Sequence, residues 1–192
     1  MEVDKQDMVV QIISGFRGSG KTTFLNQCIE QIKGKTAVIE NDFGAQVVDR
    51  ENVEGSLIYE EIGEGCICCG MALEFEEKMR RIAMEDCPDR IFIEASGFGK
   101  LSDVVKVCTQ LKEKEHLEMV IGPNVTVVDI GMVEAYASGL GEFYVDQIEH
   151  ADVILVNHID LDDVEPEEIE EGWKVLERLN TKALKVKMHG KY

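Results

Sequence analysis

Basic residues are scarce in this sequence, which has 20 lysines and arginines against 38 aspartates and glutamates and a formal net charge of -18. This balance argues against a nucleic-acid partner, because a phosphate backbone attracts lysine and arginine. The sequence also lacks a signal peptide, a lipidation motif and an apolar run of about 18 residues, so we expect a cytoplasmic protein with no membrane partner. Without an export signal, its six cysteines are expected to be reduced thiols rather than disulfides.

Proline is also scarce, with 3 in 192 residues, and neither an internal repeat nor a linker is visible. The length suits one α/β domain with its own core, so we expect a single domain spanning residues 1–192. Apolar strand-like runs alternate with helical patterns along the chain. This alternation predicts a doubly wound, mostly parallel sheet with polar clusters at the carboxyl ends of its strands, where such sheets build their sites.

A glycine-rich loop stands near the start of the chain. Residues 15–22 read Gly-Phe-Arg-Gly-Ser-Gly-Lys-Thr, the G-x-x-x-x-G-K-[ST] pattern of a phosphate-binding loop. We expect Lys21 between the β- and γ-phosphates of a nucleotide and Thr22 as a ligand of Mg²⁺. The remaining residues expected to bind the nucleotide here are Gly15, Arg17, Gly18, Ser19, Gly20 and Thr23. A chance match in a turn is the alternative, but an apolar strand precedes the loop and a helical pattern follows it.

The segment 157–160, Asn-His-Ile-Asp, follows an apolar strand and matches part of the guanine-reading pattern N-K-x-D. The Asp160 carboxylate can accept from guanine N1–H and the exocyclic amine, two donors that adenine does not offer together, so GTP and GDP are the expected nucleotides. Asn157 belongs to the same motif. His158 replaces the usual lysine, and we expect it at most to stack on the base. A solvated loop is the alternative interpretation.

Carboxylates follow two other predicted strands. Glu94 has the position of the second acidic motif, where it would hold Mg²⁺ through water or orient the attacking water. Gly97 allows the backbone to approach the γ-phosphate. Glu40 and Asp42 lie where a nucleotide-responsive switch loop belongs, and Asp42 is the second candidate for the water-orienting acid. A helix cap for Glu94 and turn formation for the other two carboxylates are the alternatives.

Cys66, Cys68 and Cys69, here called the cysteine triplet, place three thiols within four residues. Adjacent cysteines are awkward for a disulfide, whereas thiolates suit a soft or borderline cation. We expect one divalent ion, with Zn²⁺ as the first choice and Co²⁺ or Ni²⁺ as alternatives, and Glu40 or Asp42 as a fourth ligand. Core packing and a redox thiol cluster are the other interpretations.

Together these motifs resemble the CobW-type metallochaperone GTPases, relatives of the hydrogenase and urease nickel-insertion GTPases. The matching segments occur in family order, at 15–22, 40–44, 65–69, 94–97, 128–129 and 157–160. The resemblance implies a SIMIBI-like P-loop fold, Mg²⁺-dependent GTP hydrolysis and a metal carried on the cysteine triplet. It further implies that the metal site lies beside the switch loop, which would couple the nucleotide state to metal retention.

Besides His158, the sequence departs from the family pattern in four respects. Ala45 stands where the family often has a second glutamate, and histidine-rich tracts are absent. The usual C-terminal domain is missing, so we expect a minimal G domain, alone or completed by another subunit. Phe16 holds the position of the signature lysine of dimer-activated relatives, and we therefore expect slow hydrolysis by the isolated protein.

The resulting hypothesis is a GTPase that binds a metal and delivers it to a client metalloprotein or a metallocofactor-assembly protein. Relatives often pair, so a homodimer is among the assemblies that the resemblance allows. The main alternative is a G-domain interaction protein that drives maturation of a metal- or corrinoid-dependent partner without delivering metal. A redox thiol protein is the third hypothesis, for which a nucleotide site is an odd companion.

Overall fold

The structure, a computed structural model, describes residues 7–41, 57–63, 67, 70–159 and 164–188. The strands are β1 (Met8–Ser14), β2 (Thr36–Glu40), β3 (Leu57–Glu61), β4 (Arg90–Glu94), β5 (Met119–Ile121), β6 (Val125–Asp129), β7 (Val153–Asn157) and β8 (Leu184–Lys187). The helices are α1 (Lys21–Gln31), α2 (Ala72–Arg81), α3 (Leu101–Glu115), α4 (Val133–Gly139), α5 (Glu142–Glu149) and α6 (Pro166–Leu179). A π-helical turn, Ile82–Asp86, extends α2, and a 3-10 turn, Ile130–Met132, precedes α4.

The strands form one eight-stranded sheet in the order β3-β2-β4-β1-β6-β7-β8, and β5 pairs with β1 beside this path. Each described pairing is parallel. The doubly wound parallel α/β fold of a P-loop nucleoside triphosphatase is thereby confirmed. Because the strands run in the same direction, their carboxyl ends meet at one edge of the sheet.

The core lies on both faces of the sheet because successive strand residues point to opposite sides. On one face, Ile13, Val38 and Phe92 pack with Leu25 and Ile29 of α1. On the other face, the inward residues of the strands pack with apolar side chains from α2 to α6. Burial on both faces explains why the strands read as nearly continuous apolar runs rather than as alternating patterns.

Seven strands and five helices coincide with elements that the sequence predicts. The sequence pattern predicts a helix over residues 21–33 after the phosphate loop, which is two residues too long at its end, since α1 stops at Gln31 and Ile32 already has an extended backbone with ψ 134°. The start of α6 is as expected, with Pro166 in its first turn, and the Glu168 carboxylate accepts a hydrogen bond from the Glu165 N–H at 3.0 Å. The sequence pattern does not predict β5 and α5.

None of the helices in the described ranges has the length and apolar character needed to span a bilayer.

Candidate nucleotide-binding site

The phosphate loop connects β1 to α1 at the carboxyl edge of the sheet. Five residues expected to bind phosphate, Gly15, Arg17, Gly18, Ser19 and Gly20, lie in this loop, and Lys21, Thr22 and Thr23 form the first turn of α1. Gly20 has a φ of 105°, and a Cβ at this position would lie 2.5 Å from the Asn157 Nδ2. The tight turn therefore depends on a residue without a side chain.

Lys21 lies inside the loop rather than in solvent. It is only 3% exposed, and its Nζ donates a hydrogen bond to the Phe16 carbonyl at 3.2 Å. The nearby Ser19 Oγ is buried and has no hydrogen-bond partner in the part of the chain that the structure describes. A buried ammonium and a buried hydroxyl at a helix N-terminus suit an anionic ligand, because buried polar groups are costly unless they are paired.

Thr22 and Glu94 are in direct contact although 72 residues separate them. The Thr22 Oγ1 donates to the Glu94 Oε1 at 2.6 Å, and both residues are buried. The contact arises because β4 is paired with β1, which places Glu94 opposite Ile13 just before the phosphate loop. A hydroxyl and a carboxylate together supply the oxygen ligands that Mg²⁺ prefers, so the two residues fit the magnesium expected there.

The loop after β4, residues 95–100, packs backbone to backbone against the phosphate loop. A Cβ on Gly97 would lie 2.8 Å from the Arg17 backbone nitrogen, so only glycine permits this approach. The Phe98 ring meets the Phe16 ring edge to face, with 5.2 Å between centroids. The Tyr136 ring lies 4.6 Å from the Phe16 ring on another side. The two loops are thus held together by both backbone and aromatic contacts.

Gln147 is a residue of this site that the sequence analysis does not identify. It is fully buried on α5, and its Nε2 donates to the Gly97 carbonyl at 3.1 Å and the Gly99 carbonyl at 2.8 Å. One signal was available in the sequence. Gln147 falls three residues, about one helical turn, after the buried Tyr144, and a polar side chain on an inward helix face needs a specific hydrogen-bond partner.

The guanine-reading candidates are only partly described. Asn157 is fully buried at the end of β7, and its Nδ2 donates to the Ser19 carbonyl at 2.8 Å, so it contacts the phosphate loop. His158 has a positive φ of 63°, and its Nδ1 lies 2.8 Å from the Asp129 Oδ2. Asp160 lies outside the described residues, and its expected contact with the base stays a prediction.

Glu40, the last residue of β2, and Asn41, which follows it, form hydrogen bonds to β3, to the end of β4 and to the segment after β3. Glu40 lies opposite Glu94 in the β2–β4 pairing, and it accepts a hydrogen bond from the Tyr59 hydroxyl. The Asn41 N–H donates to the Glu94 carbonyl at 2.9 Å, and its side-chain Nδ2 donates to the Gly63 carbonyl at 3.4 Å. The start of the predicted switch loop is thereby attached both to β4 and to the segment that leads to the cysteine triplet. Asp42 lies outside the described residues.

The cysteine triplet also lies outside the described residues, and its role stays a prediction. Ile67, which stands between Cys66 and Cys68, is described and is 1% exposed within the larger core cluster. Within the described ranges, no group of three or more histidines, cysteines, aspartates and glutamates is arranged to hold a metal ion.

Comparison with known proteins identifies relatives over most of the chain. The CobW/HypB/UreG nucleotide-binding domain matches residues 9–187. The zinc-regulated GTPase metalloprotein activator 1 of Dictyostelium discoideum is 29% identical over an alignment of 202 positions, which covers 81% of this chain and 41% of that protein. The zinc chaperone YeiR of Escherichia coli is 27% identical and is matched over 84% of this chain and 50% of its own length. The chain thus spans about half the length of the curated relatives it matches.

Solved structures show the same fold. The Zn(II)-bound YjiA GTPase from Escherichia coli aligns with a TM-score of 0.66 at 23% identity, over 97% of this chain and 59% of that chain. The hydrogenase maturation factor HypB from Archaeoglobus fulgidus aligns with a TM-score of 0.61 at 18% identity, over 96% of this chain and 82% of that chain. From the domain match and the shared architecture, we conclude that this chain belongs to the CobW/HypB/UreG family and carries its nucleotide-binding domain.

Proposed function

We propose that this chain binds and hydrolyses GTP as the G domain of a metallochaperone or metallocofactor-maturation factor. The observation that carries the proposal is the contact between Thr22 and Glu94, 2.6 Å apart, beside the buried Lys21 of the phosphate loop. Relatives named as zinc chaperones and as a zinc-regulated GTPase metalloprotein activator support GTP as the nucleotide and Zn²⁺ as the metal.

In the proposed nucleotide site, the Lys21 ammonium neutralises charge on the β- and γ-phosphates. The backbone N–H groups of the phosphate loop and the start of α1 bind phosphate oxygens, and Gly97 approaches the γ-phosphate. Thr22 and Glu94 would hold Mg²⁺, which supplies further positive charge at the phosphate oxygens. Glu94 or Asp42 orients the attacking water, and Asp160 selects guanine.

In the proposed metal site, the cysteine triplet binds one Zn²⁺, or alternatively Co²⁺ or Ni²⁺, with Glu40 as a further ligand. Two observations support a location beside the nucleotide site. Glu40 ends β2 directly opposite Glu94, and Ile67, which lies between Cys66 and Cys68 in sequence, is itself buried in the core. The metal would then pass to a client metalloprotein or a metallocofactor-assembly protein.

We further propose that hydrolysis by the isolated chain is slow. Besides Lys21, the only cation in the phosphate loop is Arg17, whose side chain is exposed. Phe16 is occupied by aromatic contacts and carries no charge. Without a partner's positive charge at the transition state, turnover should be on the order of one per hour, as in unassisted small GTPases.

The test is a Lys21→Met variant, which keeps most of the buried apolar stem of the lysine and removes its charge. We expect GTP hydrolysis, measured as phosphate release, to fall by about 10²-fold or more, because charge stabilisation at the transferred phosphate is lost. The matched control is Lys33→Ala, which removes an exposed lysine just beyond α1. Wild-type hydrolysis in Lys21→Met would contradict the proposed site.

A further inference from the structure

The Gln147 side chain is chemically matched to the loop after β4. Both hydrogens of its amide are donated, one to the Gly97 carbonyl and one to the Gly99 carbonyl, in a buried setting. A carboxylate could not donate at neutral pH, and an apolar side chain would leave two buried carbonyls without these donors. The two hydrogens on one amide nitrogen thus match two carbonyls two residues apart on one loop.

The other end of the same amide is not paired in the same way. Its Oε1 is buried and has no hydrogen-bond partner among the described residues. A buried acceptor without a partner costs stability. The hydrogen bonds that the side chain makes among the described residues are therefore the two that it donates to the loop.

The loop that Gln147 holds is the one that faces the phosphate loop. Gly97 packs against the Arg17 backbone so closely that no Cβ would fit. In a trans peptide the carbonyl and the N–H point in opposite directions. Because the Gly97 carbonyl is tied toward α5, the Phe98 N–H is directed away from α5. Gln147 thereby contributes to the orientation of the peptide groups around Gly97, together with the hydrogen bonds that the Phe98 N–H donates to the Ser96 Oγ at 3.4 Å and the Gly99 N–H donates to the Ser96 carbonyl at 3.0 Å.

The helix itself is anchored by other contacts, so loop positioning and helix docking can be separated. The Gln147 main-chain carbonyl accepts from the Thr126 Oγ1 at 2.7 Å. The neighbouring Asp146 accepts from the Ser102 N–H at 3.0 Å and from the Ser102 hydroxyl at 2.6 Å. Loss of the Gln147 amide would leave these bonds in place.

We propose that Gln147 is a positioning residue for the γ-phosphate, which holds Gly97 where the loop distinguishes a nucleoside triphosphate from a diphosphate. The proposal rests on the nucleotide site proposed above. GDP has no phosphate at the γ position, so its binding does not depend on this loop in the same way. The role is therefore visible as a change in the ratio of the two affinities.

The experiment measures the affinities of the whole chain for a non-hydrolysable GTP analogue and for GDP, both with Mg²⁺. In Gln147→Met, which has a similar length and no donor, we expect the affinity for the GTP analogue to fall about tenfold and that for GDP to change less than about twofold. The control is Thr126→Val, which removes the bond to the main chain of the same residue. It should lower the melting temperature and leave the affinity ratio unchanged.

A second variant, Gln147→Glu, provides a readout that a purely structural role would not change. Its carboxylate cannot donate, whereas its protonated form can donate one hydrogen bond. The selective loss of affinity for the GTP analogue in Gln147→Glu, measured against wild type at each pH, should therefore become smaller as the pH falls. If Gln147→Met does not fold, Gln147→Glu provides the test of the affinity ratio in its place.

Three outcomes would overturn the inference. The first is an equal loss of affinity for the GTP analogue and for GDP in Gln147→Met. The second is a selective loss of affinity for the GTP analogue in Thr126→Val. The third is a wild-type ratio of the two affinities in folded Gln147→Met and Gln147→Glu. In each case wild type still binds both nucleotides, so the proposed nucleotide site is unaffected. If wild type binds neither nucleotide, the proposed function fails and this inference fails with it.

Discussion

At the scale of single residues, Cys28 and Cys108 have environments that do not suit metal binding. Burial raises the pKa of the Cys108 thiol to about 12. Burial also raises the pKa of the Cys28 thiol to about 11, although the positive charge of Arg90 acts in the opposite direction. Because the thiolate is both the nucleophile and the metal ligand, these two cysteines stay protonated and unreactive at neutral pH. Cys87, in contrast, is exposed.

Alkylation with iodoacetamide should therefore separate the cysteines into groups. Near neutral pH, Cys28 and Cys108 should react much more slowly than Cys87, and their rates should rise only as the pH approaches 11 to 12. The cysteine triplet should react in the apo-protein and be protected by Zn²⁺. Mass spectrometry of the digested protein measures each site, with Cys87 as the internal reference.

Either group can contradict its part of this prediction. Rapid alkylation of Cys28 or Cys108 at neutral pH would show that these thiols are more accessible than their burial indicates. Reaction of the cysteine triplet at the same rate with and without Zn²⁺ would exclude a metal site there.

At the scale of elements, the phosphate loop and the start of α1 are held by the ends of two other strands, β4 and β7. Asn157, at the end of β7, donates to the Ser19 carbonyl at 2.8 Å. Glu94, at the end of β4, accepts from Thr22. The shape of the loop therefore depends on residues far away in sequence, since 72 positions separate Thr22 from Glu94 and 138 separate Ser19 from Asn157.

Asn157 and Asp160 should differ in their effects on nucleotide selection. Asn157→Ala leaves the Ser19 carbonyl without its side-chain donor, so we expect GTP and ATP to lose affinity by the same factor, about tenfold. Asp160→Asn should weaken GTP alone and reduce the preference for GTP over ATP. Competition of both nucleotides against labelled GDP measures the two effects. A change in the GTP-to-ATP ratio in Asn157→Ala would indicate that this residue reads the base directly.

The local motifs were predictable from sequence, whereas the contacts between elements were not. Lys21 and Thr22 follow from a continuous pattern, since the strand, the glycines and the helix are adjacent in the chain. Gln147 contacts Gly97 across 50 residues, and this contact depends on how α5 packs. α5 is short and has a polar residue on its inward face, which obscures its hydrophobic period. β5 has three residues, too few for a strand pattern to stand out.

At the scale of the whole molecule, hydrogen bonds connect the proposed nucleotide site to the approach of the proposed metal site. Thr22 bonds to Glu94, the Glu94 carbonyl accepts from Asn41, and Asn41 donates to the Gly63 carbonyl. Gly63 precedes Cys66 by three residues. These bonds give a change at the Mg²⁺ and γ-phosphate end a hydrogen-bonded route to Gly63, and coupling of the two proposed sites would use this route.

If this route operates, GTP and Zn²⁺ must change each other's affinity by the same factor, because a coupling free energy is reciprocal. We expect the Zn²⁺ dissociation constant, measured by chelator competition, to differ about 5- to 150-fold between the GTP-analogue and GDP states. Asn41→Ala should reduce this factor toward one while both ligands still bind. Asn180→Ala is the control for general stability, because Asn180 is also buried and its amide bonds to the Ile148 and Ala151 carbonyls at the end of α5, outside the route through Asn41. Equal Zn²⁺ affinity in the two nucleotide states of wild type would exclude coupling. If Asn180→Ala also lost coupling, the effect of Asn41→Ala would have to be attributed to a general loss of stability.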